Sequence, residues 1–171
     1  KTAVFSSNYA LYESISRRVD ACVRGMGVAV EQYSIDEWFL VYPHHVSWAG
    51  LAETVRQRVE QWVGVPVGVG VGTTKTLAKL ANFVAKSSRL GVCDLEKYAV
   101  DSVFATIDVG ELWGVGRRHQ KRLKEHGIYT VYHFKYTNSE WVKKVLHRPG
   151  IQIQQELWGI VCQPLAVNIT P

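Results

Sequence analysis

Two short runs of strand-forming residues, Val28-Ala29-Val30 and Trp38-Phe39-Leu40-Val41-Tyr42, stand on either side of Tyr33-Ser34-Ile35-Asp36-Glu37. β-Branched and aromatic residues broken by a short polar segment predict two strands meeting at a tight turn, with both acids carried at its tip. Carboxylate oxygens are the ligands that hard divalent cations prefer, and Mg²⁺ is commonly held by one or two of them together with substrate phosphates. Asp and Glu are also ordinary polar turn residues, so the chemistry of Asp36 and Glu37 has to be decided by what surrounds them.

Apolar spacing predicts an amphipathic helix over residues 9–24, through Leu11, Ile15, Val19, Cys22 and Val23, and a second over 48–62, through Leu51, Val55, Val59 and Trp62. Alternating Val and Gly over 65–71 read as a strand, which Gly72-Thr73-Thr74 turns into a helix over 75–86; Val92-Cys93 reads as an edge strand. One more strand upstream would complete the β-α-β-β-α-β ferredoxin-like plan. Ala3-Val4-Phe5 is a short extended piece. Past Ala99 the strand signal disappears, and short helical segments punctuated by Gly, Asn and Pro take over. Asn138 is a candidate N-cap and Gly159 a candidate C-cap in this region. The fold class is therefore α+β, a partial ferredoxin-like unit of antiparallel sheet and packed helices followed by a small all-helical unit. The boundary falls between Leu95 and Val100.

Leu112-Trp113-Gly114-Val115-Gly116, entering a basic helix that closes at Gly127 before Ile128, resembles a helix-hairpin-helix. In such an element Gly114 and Gly116 let the backbone approach a phosphate, and N–H groups at the next helix start donate to it. Arg117, Arg118, Lys121, Arg122 and Lys124 place their positive charges within eight positions that contain no acid. This pattern suits a sequence-independent, salt-dependent grip on a duplex backbone. Gly70 to Thr76 superficially suggests a P-loop, but Lys75 follows Gly72 by three residues, which fails the required spacing and excludes that ATPase motif.

Composition narrows the remaining classes. The chain has no run of about 18 apolar residues and no charged-then-apolar leader, so the expectation is a cytoplasmic protein with neither a signal peptide nor a membrane partner. Cys22, Cys93 and Cys162 are odd in number and far apart, which argues against a disulfide framework and against structural zinc. His44 and His45, adjacent and therefore pointing apart, read as loop residues rather than ligands. The tryptophans at 48, 62, 113, 141 and 158 fall mostly in apolar helical patterns and are expected in the core. The formal charge of +5 is compatible with a polyanionic partner.

Ser34-Ile35-Asp36-Glu37 followed by an aromatic-aliphatic strand resembles the catalytic motif of Y-family (translesion) DNA polymerases. Val4 to Tyr12 and Glu31-Gln32-Tyr33 are similar to the UmuC branch, the catalytic subunit of bacterial DNA polymerase V and its plasmid-borne relatives. The stretch from Gly70 to Lys86 resembles the segment after the last palm strand of that branch. The resemblance implies a partial catalytic palm over 1–97, a thumb with a helix-hairpin-helix over 98–165, and over 166–171 the start of a linker to a further DNA-binding domain. It implies Mg²⁺ at Asp36 and Glu37, with Glu37 helping to place the metal or the primer 3′-hydroxyl. Triphosphate contacts are implied for Lys86 and, less directly, Lys75 or Lys79, and DNA-backbone contacts for Gly114, Gly116, Arg117 and Arg118. The implied partners are primer-template DNA, an incoming dNTP, and in the complete protein a UmuD-like accessory protein, RecA and a sliding clamp.

Lys1 in place of Met, inside an apolar stretch, leads us to expect a segment of a longer polymerase. The family's third metal-binding carboxylate and its finger residues would lie before Lys1, so the segment is expected to be inactive or nearly so by itself. Trp38 and Val41-Tyr42-Pro43 depart from the family pattern beside the acids. The rival reading is a non-catalytic DNA-binding remnant that keeps the hairpin-helix; another palm-type nucleotidyl transferase, such as a cyclase, leaves the Gly114 to Gly127 motif unexplained.

Overall fold

Helix α1 (Tyr9–Arg24) begins where Asn8 accepts the Leu11 N–H and ends at Gly25, with Gly27 supplying a positive φ of 74° as the chain turns back. The structure, a computed structural model, describes residues 2–42 and 48–166; the His44-His45 loop and residues 167–171 lie outside the described residues. The buried positions of α1 are Ser16, Val19, Cys22 and Val23; on the face that the apolar spacing marks, Ile15 is half-buried and Leu11 exposed. Strands β1 (Ala29–Gln32) and β2 (Trp38–Val41) pair antiparallel, Ala29 opposite Val41 and Gln32 opposite Trp38. Val4 and Phe5, read as extended, join no strand and are 89% and 88% exposed.

Helix α2 (Trp48–Val63) follows. Strand β3 (Val69–Val71) is shorter than the run of Val and Gly suggests. Thr74 caps α3 (Lys75–Ser87) by accepting the Leu77 N–H, and β4 (Val92–Asp94) returns parallel to β3, Gly70 opposite Cys93. The α+β class holds: the small antiparallel sheet is the β1-β2 hairpin, and among the described residues β3 and β4 form a separate parallel pair around α3.

The glycine alternation explains how α3 meets β3. A Cβ at Gly70 would lie 2.1 Å from the Asn82 backbone nitrogen and 2.2 Å from the Ala78 carbonyl oxygen, and one at Gly72 would lie 2.7 Å from the Ala78 nitrogen. Only a strand without side chains on that side lets the helix backbone come so near. The Asn82 amide then donates to the Gly68 carbonyl at 2.8 Å.

Short helices complete the chain: α4 (Val100–Phe104), α5 (Arg117–Glu125), α6 (Val131–Tyr136) and α7 (Ser139–Leu157), with single 3-10 turns at Leu95–Lys97 and Val109–Glu111. Thr130 caps α6 and Asn138 caps α7 through the Trp141 N–H, while Gly159 takes φ 82° just past the end of α7. Helix α7 is broken at His147 (φ 57°, ψ −157°), two residues before Pro149, whose ring clashes with an intact preceding turn and whose missing N–H removes a helical hydrogen bond.

The chain divides into two compact units, one made of the described residues within 1–46, 54–67 and 165–171, the other of those within 47–53 and 68–164. The second unit has one core: Leu80, Ala81 and Ala85 of α3 and Cys93 of β4 are buried in one cluster with Phe104, Leu123, Phe134 and Leu157 of the helical part. The tryptophans divide. Trp113 and Trp141 are half-buried, but Trp62 and Trp158 are exposed, against the core expectation. No described helix is long and apolar enough to cross a membrane.

Candidate polymerase-type site

The acidic turn is built by backbone closure. The Tyr33 and Ser34 amides both donate to the Glu37 carbonyl, at 2.9 and 3.2 Å, and this puts Asp36 outside, exposed, and Glu37 half-buried. The Ser34 hydroxyl donates to Asp36 Oδ1 at 2.7 Å and orients the carboxylate. Trp38, the departure beside the acids, has a local role: its indole N–H donates to Asp20 Oδ1 of α1 at 3.1 Å, while Gln32 reaches Ser16 Oγ and Arg24 reaches the Val30 carbonyl. Phe39 is buried and meets the Tyr33 ring edge-on at 5.9 Å. The hairpin is thereby pinned to α1 on both strands.

Two carboxylates on adjacent turn residues fit a hard cation held by one or two carboxylates plus phosphate oxygens. No group of three acidic, histidine or cysteine side chains that could hold a metal occurs among the described residues.

In the second unit, Lys75 opens α3 and Lys86 lies in its last turn, about 16 Å apart at 1.5 Å rise per residue, so any ligand they share must span the helix. Lys86 is exposed, its stem lying over Gly68. Lys79 sits over the Trp113 ring at 5.7 Å.

The hairpin before α5 is closed by the Val115 amide donating to Leu112, with Gly114 at φ 88° in the third turn position, where a side chain would be strained. Leu112 and Val115 are buried and hold the loop. Gly116 is the N-cap of α5; it offers no side chain to the first amides, and a Cβ there would meet nothing within 4 Å. The α3, α6 and α7 starts are all capped by a side chain, so α5 presents an open helix N-terminus above Arg117 and Arg118. The far end closes as a Schellman motif, Gly127 N–H to Lys124 and Ile128 N–H to Leu123, over the buried Leu123 and Ile128. The preceding helix of the expected helix-hairpin-helix is reduced to the Val109–Glu111 turn.

The basic cluster is less uniform than its sequence suggests. Lys124 pairs with Asp108 at 2.6 Å and Lys121 with Glu125 at 4.0 Å, acids outside the eight basic positions, whereas Arg117, Arg118 and Arg122 make no ion pair among the described residues. Asp108 also accepts from the Gly110 amide and from Gln120, both at 2.8 Å. The Lys124 ammonium first, then those two donors, hold its carboxyl below the usual carboxylate range. A carboxyl whose folded value is depressed contributes stability above its unfolded value, near 3.9, which is lost as pH falls through the folded value. The stability gap between the native chain and Asp108→Asn, measured by denaturant titration, is therefore expected at neutral pH and should close in acid below pH about 4; a gap constant across that window would refute the linkage.

A buried carboxylate that the sequence does not flag organises this unit. Glu156 of α7 is fully buried; its Oε2 accepts from the Thr76 amide at 2.9 Å and hydroxyl at 2.6 Å, and its Oε1 from the Gln163 amide at 2.9 Å. The Thr74 hydroxyl donates to the Glu156 carbonyl. The start of α3, beside Lys75, is thus tied to the end of α7 and to the segment after it. The only sequence signal is Thr-x-Thr at a strand-to-helix turn, whose amides need an acceptor.

This arrangement of a β-α-β unit, acidic hairpin and glycine-turn basic helix has the fold of Y-family DNA polymerases. A DinB-family error-prone DNA polymerase from Sulfolobus solfataricus superposes with a TM-score of 0.75 at 21% identity, over 95% of this chain and 50% of that one. An insertion ternary complex of Dbh DNA polymerase gives 0.74 at 23%, over 92% and 47%. Residues 1–82 match the model of the impB/mucB/samB family. MucB of Escherichia coli is 36% identical over 97% of this chain and 41% of its own length, ImpB of Salmonella typhimurium 37% over 84% and 36%, and DNA polymerase IV of Halobacterium salinarum strain R1 39% over 71% and 30%. The chain is thus similar to the impB/mucB/samB family over residues 1–82, and it spans about two fifths of the length of the MucB and ImpB relatives it matches.

Proposed function

We propose that this chain is the palm-and-thumb part of an error-prone translesion DNA polymerase, a cytoplasmic protein acting on primer-template DNA and dNTP. The observation that carries the reading is the uncapped, glycine-entered N-terminus of α5 with Arg117 and Arg118 beside it, in a chain that also holds Asp36 and Glu37 at an exposed turn. Helix amides and unpaired guanidinium groups grip phosphate oxygens without reading bases. Residues 98–165 act as the thumb. Asp36, oriented by Ser34, and Glu37 hold Mg²⁺, which when bound neutralises phosphate charge and activates the attacking oxygen. Lys86 and Lys75 neutralise triphosphate oxygens at the two ends of α3. UmuD-like protein, RecA and a clamp are the partners this reading assigns to the full-length polymerase.

With two carboxylates in its candidate metal set, the 171-residue chain is expected to bind primer-template DNA, ever more weakly as salt rises, yet not to extend the primer with Mg²⁺. Extension that disappears in Asp36→Ala and Glu37→Ala would show that two carboxylates suffice and overturn the expected inactivity. Binding indifferent to salt would overturn the thumb assignment.

A further inference from the structure

Gly68, Gly70 and Gly72 alternate along the extended chain that enters and leaves β3, and Ala78, Asn82 and Lys86 follow one another at four-residue spacing on α3. Two residues of strand and four of helix each advance about 6 Å, so the two series run side by side. Gly70 and Gly72 are explained by the helix backbone: a Cβ would lie 2.1 Å from the Asn82 nitrogen at the first and 2.7 Å from the Ala78 nitrogen at the second. Gly68 is not explained that way. The three atoms nearest a Cβ there all belong to side chains, Lys86 Cγ at 3.1 Å, Asn82 Oδ1 at 3.2 Å and Lys86 Cε at 3.3 Å. Extended chain favours β-branched residues, and valine stands at 65, 67, 69 and 71. What the missing side chain at 68 makes room for is Lys86.

Both Cγ and Cε of Lys86 lie against that position, so the stem crosses the backbone at Gly68 along most of its length. A lysine stem laid on the protein surface keeps its ammonium in water, and Lys86 is exposed in the last turn of α3, where no carboxylate among the described residues pairs with it. The Asn82 amide donates to the Gly68 carbonyl at 2.8 Å and fixes the backbone beneath the stem. A lysine free in solvent spreads over many rotamers and loses that freedom when it binds an anion. One already laid across a fixed backbone loses less, which is affinity gained by preorganisation.

We propose that Gly68 is a positioning residue: its lack of a side chain leaves the channel in which the Lys86 stem lies and so sets where the ammonium meets triphosphate oxygens. The inference rests on the reading that Lys86 neutralises triphosphate. It adds a residue outside α3 that acts through Lys86 and not by touching the ligand.

The test is a double-mutant cycle on the 171-residue chain, read by calorimetric titration with inorganic tripolyphosphate at low salt. All proteins carry Arg117→Ala and Arg118→Ala, which takes away the α5 phosphate contact. Against that parent, Lys86→Ala should lower tripolyphosphate affinity about tenfold, the loss of one hydrogen bond from a charged group. Gly68→Val should lower it by most of the same factor, and Gly68→Ala by less, since its methyl group moves the stem only slightly. Once Lys86 is alanine, neither substitution at 68 should cost anything more. Losses at 68 and 86 that multiply would make Gly68 a general structural residue and overturn the inference. Undiminished binding in Gly68→Val, where Lys86→Ala binds weakly, would overturn it too. Thermal unfolding of each protein checks the fold, and Gly68→Ala carries the same cycle if the valine variant does not fold. Lys86→Ala binding as tightly as its parent would instead strike the triphosphate role of Lys86, and the role of Gly68 with it.

Discussion

Replacing Arg117 and Arg118 together by alanine should weaken duplex binding about 150-fold or more at low salt, since a hydrogen bond to a charged group contributes about 1.5–3 kcal/mol and two are removed. The same pair should lower the slope of log K against log salt by about 1.8, the expected change for two lost phosphate contacts on duplex DNA. The effect should be uniform across DNA sequences, because these groups would meet phosphates rather than base edges. Lysine at both positions should restore most of the slope and only part of the affinity, an ammonium being a point charge without the planar fork of guanidinium. Lys124→Ala is the internal comparison: its ammonium is engaged by Asp108, so its loss should change the slope less than loss of either arginine. A salt slope unmoved by the double substitution would exclude the N-terminus of α5 as the phosphate contact.

Gly70→Ala should cost about 3 kcal/mol or more, at the top of the range for overpacking, because the new methyl group would enter backbone atoms of α3 rather than a flexible side chain. At roughly 2–4 °C per kcal/mol for a chain of this size, the midpoint of thermal unfolding should fall by about 10 °C. The contrast is Gly116→Ala, where a Cβ meets open space and φ is −76°. That variant should unfold within about 0.5 kcal/mol of the native chain, as surface substitutions usually do. If the two glycines proved equally tolerant, β3 and α3 would not be in backbone contact.

Much of the local structure was legible in the residues. The periodicity of Leu11, Ile15, Val19 and Val23 marks α1 to the residue at both ends, and Asn138 is the cap of α7. The acidic turn between β1 and β2 follows from strand formers on both sides of a polar tip. Other features were illegible for a common reason. Trp62 and Trp158 fit apolar helical patterns yet stand exposed, because a pattern says which residues share a face and not whether anything covers that face. The parallel pairing of β3 with β4 joins residues more than twenty positions apart, and three-residue strands carry too little alternation to choose a partner. Glu156 looks like one more polar position on a helix; its partners Thr74 and Thr76 are about eighty residues upstream.

Residue order alone carried the elements and the kinds of chemistry available: helices from period 3.6, the hairpin and its two acids, the glycine turn into a basic helix, and the UmuC-like family that these motifs together resemble. Those are properties of neighbours along the chain, where backbone geometry and side-chain spacing suffice. It took the packing of distant segments to show that α3, β4 and the helical segment share one core, that Glu156 fastens the start of α3 to α7, and that Asp108 claims Lys124 while Arg117 and Arg118 stay unpaired. Each of these depends on which distant surfaces meet, and burial and pairing acquire a value only once they do.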